Sequence, residues 1–254
     1  MILLFDIGNT NTHLGLANAK RVIRQADLPT RAWSTGDASR QVRRFVGTAA
    51  VHGTAVCSVV PQVTPLVHDV VRTRWRLNPF ELTCQNVVGV GVDYPRPETI
   101  GPDRLANAVA ARRRFGAPVI ILDFGTALTF DVVNAAGSYV GGIIAPGLSA
   151  MTDYLHERTA LLPPIRIREV RRAIGRSTEE AMLIGAVHGY RGLVRELLAE
   201  LKRELRAPRL PVVATGGYAA LIAKALPEIT AVDPLLTLEG LRLSWSDRRE
   251  EFED

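Results

Sequence analysis

Two short stretches of this sequence carry residue types that could hold a phosphate and a cation. The chain opens MILLFDIGNTNTHLGL, and the pattern returns 117 residues later in APVIILDFGTALTFDVV. In each, an apolar run ends in Asp-x-Gly with a threonine close behind: Asp6, Gly8 and Thr10, then Asp123, Gly125 and Thr126. A glycine after the aspartate lets the backbone turn tightly and leaves N–H groups free to approach a bulky anion. The threonine hydroxyls add donors beside them. Asp6 and Asp123 would repel phosphate on their own, so near one they make sense as ligands for a cation between them. An Asp-x-Gly often does no more than end a strand. Its repetition, each time with a threonine and a matching second strand, favours the functional reading.

The elements that must position these residues follow from the apolar pattern. Residues 2–6 and 119–123 read as short buried strands, each followed by a polar turn and a second strand. After the second copy, LTFDVVNAAGSYVGGIIA reads as strand, turn at Asn134–Gly137, strand. GTAAVHGTAVCSVVPQ suggests a further strand stopped at Pro61, and VTPLVHDVVRTRW has helical spacing. GPDRLANAVAARRRFG starts a helix at Gly-Pro-Asp, puts arginines at its C-terminal end and stops at Gly116. Ser177 and Glu180 fit a capping box opening a helix to about Arg206. RLPVVATGGYAALIAKAL reads as strand, double-glycine turn, helix, and DPLLTLEGL as a helix with Asp233 as N-cap and Pro234 at its first position. Strands alternating with helices give an α/β class. The duplicated openings suggest two domains facing each other across a cleft, residues 1–114 and 115–254.

Composition bounds the rest. A chain of 254 residues that is 47% hydrophobic and 22% charged is an ordinary globular protein. Net charge is +5, with the arginines spread over several segments and no nucleic-acid signature beside them. No nucleic-acid partner is expected; a mildly positive surface suits an anionic substrate. Cys57 and Cys84 are too few and too far apart for a disulfide framework. No targeting segment is evident and no apolar run is long enough to span a membrane, so a cytoplasmic, membrane-free protein is expected. P-loop, dinucleotide-binding, protein-kinase and nucleophile-elbow signatures are all missing. The five histidines have no ligand spacing.

The segments DIGNTNTHLGL, GPDRLANAVAA, DFGTALTFDVV, YVGGIIAPGLSAM, GRSTEEAMLIG, ATGG and DPLLTLEGL, in this order, resemble the type III pantothenate kinases of the acetate kinase, sugar kinase, Hsp70 and actin superfamily. The resemblance spans residues 2 to about 241. It implies two duplicated ribonuclease-H-like domains with the active site in the cleft between them. It further implies ATP-dependent phosphorylation of pantothenate to 4′-phosphopantothenate, the first step of coenzyme A biosynthesis. By resemblance the loop Asp6, Ile7, Gly8, Asn9, Thr10, Asn11, Thr12 and His13 lies on ATP, with Asp6 near Mg²⁺ and Thr126 as a second phosphate-binding hydroxyl. Asp123 holds a monovalent cation, K⁺ or NH₄⁺. Asp103 is the general base. Tyr94, Gly101, Pro102, Asp103, Arg104 and Thr178 line the pantothenate pocket. A homodimer sharing its pockets between subunits is implied as well.

Physical chemistry supports Asp103 separately. An alcohol is too weak an acid to ionise at neutral pH, so a carboxylate within about 3 Å takes its proton as attack proceeds, typically for ~10²–10⁴-fold. The same residue also suits an early helical turn through the dipole. Arg104 is read as a binder of the substrate's carboxylate or of a phosphate oxygen, the alternative being a surface arginine. Thr178 alternatively serves only the helix start, and Tyr94 only as a loop anchor. One departure from the family pattern is Leu128, where a threonine is usual; if that hydroxyl touched phosphate, ATP binding should suffer. Two rivals stand beside the kinase: an enzyme of the same superfamily acting on another small molecule or polyphosphate, and a non-enzymatic ATP-binding accessory protein.

Overall fold

The computed structural model describes the backbone of residues 1–253 and the side chains of residues 1–248. Its contacts divide into two compact units: Met1–Ala117 with Ala135–Val140 and Leu235–Asp254, and Pro118–Asn134 with Gly141–Pro234. The units are therefore not the contiguous stretches 1–114 and 115–254. The first break falls close to the expected boundary, but the C-terminal helix packs with the first unit.

The first unit is built on β1 (Ile2–Ile7), β2 (Asn11–Ala17), β3 (Val22–Pro29), β4 (Gly53–Ser58) and β5 (Phe80–Glu81), in the order β3-β2-β1-β4-β5. β1, β2 and β3 form an antiparallel meander, while β4 runs parallel to β1 and β5 parallel to β4. β1 is apolar on both faces because both are covered. One face packs Leu3, Phe5 and Ile7 with Val42, Val46, Val67 and Val71 from α1 (Asp37–Val46) and α2 (Thr64–Trp75). Against β1 and β4 lies α7 (Leu236–Glu253), which also packs along α3 (Pro102–Phe115). Small residues permit that approach: a β-carbon at Gly240 would overlap the Ala106 carbonyl, and α3 buries four alanines. Gly116 (φ 80°) stops α3 as expected.

The second unit repeats the plan with β7 (Val119–Phe124), β8 (Ala127–Val133), β9 (Ser138–Pro146), β10 (Val212–Thr215) and β11 (Ala231–Val232), in the order β9-β8-β7-β10-β11. β7 and β8 are antiparallel; β10 runs parallel to β7, and β11 parallel to β10. The short β6 (Gly91–Val92) pairs in parallel with Ser138 and Tyr139 of β9, residues that count with the first unit. Helices α4 (Leu148–Arg158), α5 (Thr178–Glu204) and α6 (Ala219–Ala223) complete the second unit. Ser177 caps α5 by accepting the Glu180 N–H at 3.2 Å, and Glu180 accepts the Arg176 N–H at 2.7 Å. Asp233 is not the N-cap of α7. Its N–H donates to the Ala214 carbonyl at 2.8 Å, which prolongs the β11 pairing, and the helix starts at Leu236, with the Glu239 N–H on the Leu235 carbonyl at 2.8 Å. Among the described residues, no helix is long and apolar enough to cross a membrane.

Candidate active site

In the first unit the phosphate-binding candidates form the β1–β2 hairpin turn. Asp6 pairs with His13 and Ile7 with Thr12, leaving residues 8–11 to close the turn, where the Gly8 N–H meets the Asn11 carbonyl at 3.0 Å. A β-carbon on Gly8 would press on that carbonyl. Asn9, Thr10 and Asn11 are exposed, whereas Ile7 and Thr12 point into the core. The Thr12 hydroxyl is committed: it lies 3.1 Å from the Thr30 hydroxyl and accepts the Trp33 indole N–H at 3.1 Å. Thr30 also donates to the Gly8 carbonyl at 2.7 Å, and its own N–H meets the Thr10 carbonyl at 3.0 Å. Thr30 and Trp33 therefore pin the turn from below. Nothing in their spacing announced this.

Asp6 and Asp103 belong to one electrostatic neighbourhood. Burial pushes the Asp6 carboxyl up to about 6 from its usual 3.8, with the Asp103 charge adding to the rise and His13 opposing it. The Cys57 thiol, in register with Asp6 on the adjacent strand, donates to Asp6 Oδ1 at 3.4 Å. His13 Nδ1 lies 2.7 Å from Asp27 Oδ1 across the β2–β3 pair, so the imidazole is held beside the turn. Asp103 sits in the first turn of α3. Burial raises its pKa, and the Arg104 N–H, donated to Oδ1 at 2.9 Å, pulls part of that rise back. A carboxylate so raised holds a proton more readily than an exposed one, which suits a general base. Gly101 leaves it room, because a β-carbon there would overlap Asp103 Oδ1. Arg104 and Tyr94 both rest on the ring of Tyr139.

The second unit holds the second turn. Asp123 pairs with Thr129 and Phe124 with Leu128, and the Gly125 N–H meets the Ala127 carbonyl at 3.0 Å. Gly125 and Thr126 are exposed and Asp123 is half-buried. Leu128 occupies the place that Thr12 holds in the first copy and is fully buried, so it faces the core and not the turn's outer surface. Two glycines close on this turn. Gly216 (φ 88°) follows β10, and a β-carbon there would come within 2.7 Å of Asp123 Oδ1. Gly147, at the N-terminus of α4, donates to the Thr126 carbonyl at 3.2 Å. The same helix start brings the Ser149 hydroxyl 2.8 Å from the Tyr218 hydroxyl, on the wall of a 670 Å³ cavity that Asp153, Ile165 and Arg166 also line. Thr178 is exposed in the first turn of α5. The expected pocket residues thus divide, with Tyr94, Gly101, Pro102, Asp103 and Arg104 in the first unit and Thr178 in the second.

Among the described residues, no three His, Cys, Asp or Glu side chains are grouped to hold a metal ion. Each turn offers one carboxylate beside exposed backbone and hydroxyl groups. Such a set fits a hard cation that takes its remaining ligands from phosphate oxygens and water.

The family model described as type III pantothenate kinase matches residues 2–200. A type III pantothenate kinase of Akkermansia muciniphila is 46% identical over 244 residues, covering 95% of this chain and 97% of that protein. Another, from Geobacter sulfurreducens, is 37% identical over 98% of this chain and its own full length. The chain belongs to the type III pantothenate kinase family. Among solved structures, MreB 5 of Spiroplasma citri bound to AMPPNP superposes with a TM-score of 0.56 at 11% identity, covering 99% of this chain and 98% of that one. The ROK hexokinase of Thermus thermophilus gives 0.50 at 16% identity, covering 98% and 99%. At such identities the family's kinship with them is one of fold: the duplicated ribonuclease-H-like plan of actin-like proteins and sugar kinases.

Proposed function

We propose that this protein transfers the γ-phosphoryl group of ATP to the 4′-hydroxyl of pantothenate, the first step towards coenzyme A. The observation that carries this reading is Asp103: a partly buried carboxylate at the start of α3, raised in pKa and felt electrostatically at the Asp6 turn. In this reading Asp103 accepts the hydroxyl proton as the oxygen attacks phosphorus, and the Arg104 side chain meets the acceptor's carboxylate. Tyr94, Gly101, Pro102 and Thr178 bound the acceptor. The exposed groups of Asn9, Thr10 and Asn11 bind phosphate oxygens from the first unit, with Gly8 closing the turn and His13 beside it, and Thr126 does so from the second. Ile7 and Thr12 shape the turn from the core side. The 670 Å³ cavity beside Tyr218 offers room for the nucleoside.

Asp6 would hold Mg²⁺ and Asp123 a monovalent cation, K⁺ or NH₄⁺. Bound there, the cations neutralise charge developing on the transferring phosphoryl group. With its own carboxyl raised to about 6 when no metal is bound, Asp6 must be ionised for that role, so protons compete with Mg²⁺ there and the Mg²⁺ needed for activity should rise as pH drops below about 6.

The protein acts as a homodimer in this reading. Met151, Tyr154 and Leu155 stand exposed at i, i+3 and i+4 on α4, with Ile144 and Leu161 also exposed in the second unit. An apolar helix face left in water is better covered by a second copy. In this reading the need for ATP as donor makes the cytoplasm the site of the reaction.

The test is ADP release from ATP and Mg²⁺, with and without pantothenate, in potassium, ammonium and sodium buffers. Turnover that depends on pantothenate and on potassium or ammonium supports both halves of the reading. Turnover indifferent to pantothenate sinks the acceptor, and equal rates in sodium sink the cation role of Asp123.

A further inference from the structure

Tyr139 has no role in the reading above, yet two acceptor-side residues rest on it. It is fully buried. The Arg104 guanidinium stands over its ring, 5.7 Å from the centroid. Tyr94 meets the same ring edge-on, with centroids 6.1 Å apart and planes at 65°. The backbone adds a third tie, because the Asp93 N–H, next to Tyr94, donates to the Tyr139 carbonyl at 2.9 Å. All of these residues belong to the first unit, to which the turn and first residues of β9 contribute Ala135–Val140.

An arginine on a flexible stem and a tyrosine on a loop each have many rotamers to lose on binding, which weakens what they can contribute. A buried ring has few. Its π face attracts a cation, and its edge-to-face partner is held by the same quadrupole. We propose that Tyr139 is a positioning residue of the acceptor site, its ring fixing Arg104 and Tyr94 in the orientation that receives a carboxylate-bearing acceptor. The proposal rests on the reading of Arg104 and Tyr94 as pantothenate-side residues. Tyr139 works through them and does not touch the substrate.

The experiment replaces Tyr139 by Leu, by Phe and by a series of increasingly fluorinated phenylalanines, with Arg104→Ala as the reference. KM and kcat are measured for pantothenate, for pantothenol (an alcohol in place of the carboxylate) and for ATP. Tyr139→Leu should raise the pantothenate KM about three- to thirtyfold, leave the ATP KM within about twofold, and shrink the preference for pantothenate over pantothenol as Arg104→Ala does. Tyr139→Phe, which keeps the ring, should restore most of the affinity. Fluorination drains the π face at nearly constant volume, so the pantothenate KM should climb stepwise along the series. A flat series overturns the proposal even if the leucine variant fails to fold. An unchanged pantothenate preference in Tyr139→Leu overturns it too, provided Arg104→Ala weakens pantothenate. If Arg104→Ala itself leaves the pantothenate KM unchanged, the acceptor-site reading falls and the proposal falls with it.

Discussion

Gly101 and Asp103 are fitted to each other across a single residue: the space a β-carbon would fill at Gly101 is taken by Asp103 Oδ1. That oxygen also accepts the Arg104 N–H, which locks the carboxylate against the first turn of α3. The backbone at Gly101 (φ −59°, ψ 131°) is open to any residue, so only the side chain's room is at stake. Gly101→Ala should therefore cost about 1 kcal/mol of stability or less, yet displace the carboxylate and lower kcat about 100-fold. Steady-state kinetics beside thermal unfolding would check this. A fully active Gly101→Ala enzyme would show that the carboxylate's position is not what matters.

The Asp6 turn depends on Thr30, whose hydroxyl serves the Gly8 carbonyl and the Thr12 hydroxyl together. Thr30→Val keeps the shape, takes the hydroxyl from the Gly8 carbonyl and leaves Thr12 with the Trp33 N–H alone. We expect a loss of about 1–3 kcal/mol and a raised KM for ATP with the pantothenate KM little changed. Loss of stability with ATP binding untouched would separate the turn from the nucleotide.

Leu128 invites the opposite experiment. The family pattern puts threonine there, and from sequence alone its loss threatened ATP affinity. The leucine side chain is fully buried opposite Phe124. Leu128→Thr should leave the ATP KM unchanged and destabilise the protein by about 2–4 kcal/mol, through lost apolar volume and a hydroxyl placed in the core. A gain in ATP affinity would mean that position 128 reaches the nucleotide after all.

Much of this was legible in the residues. The duplicated Asp-x-Gly strands gave both hairpins, because a buried strand, a turn glycine and a second strand are local signals. The caps of α3 and α5 were legible for the same reason. The long-range fits were not. No spacing rule links Thr30 or Trp33 to Thr12, Cys57 to Asp6, Gly216 to Asp123, or Tyr139 to Arg104, since each pair meets only after distant segments pack. The C-terminal helix shows the limit most plainly: its sequence marked a helix, but not its packing on α3, where Gly240 meets Ala106, and on β1 and β4, which puts it in the first unit.

The raised carboxyls make a pH prediction with a definite sign. Asp6 goes from its usual 3.8 to about 6, and Asp103 is raised in the same direction. Between those two values the folded protein keeps a proton that the unfolded chain has released. The stability this contributes is full below about pH 3.8 and is lost as pH rises through about 6. Asp6→Asn removes the ionisation, so the ligand-free variant should be more stable than wild type by about 1–3 kcal/mol near pH 7.5, with the gap closing towards about pH 4, while kinase activity is lost. Denaturant titrations across that range would show it. A variant no more stable than wild type near neutrality would contradict the buried, raised carboxyl.

The most direct test of the central claim is to watch the phosphorylated product form by ³¹P NMR, with ATP, Mg²⁺, K⁺ and pantothenate, for wild type and Asp103→Asn. The account predicts a phosphomonoester resonance growing with wild type at the expense of the γ-phosphate, and its formation slowed by at least about 100-fold in the variant, with ATP still bound. Orthophosphate in place of the phosphomonoester, or an Asp103→Asn variant that makes product at the wild-type rate, would contradict it.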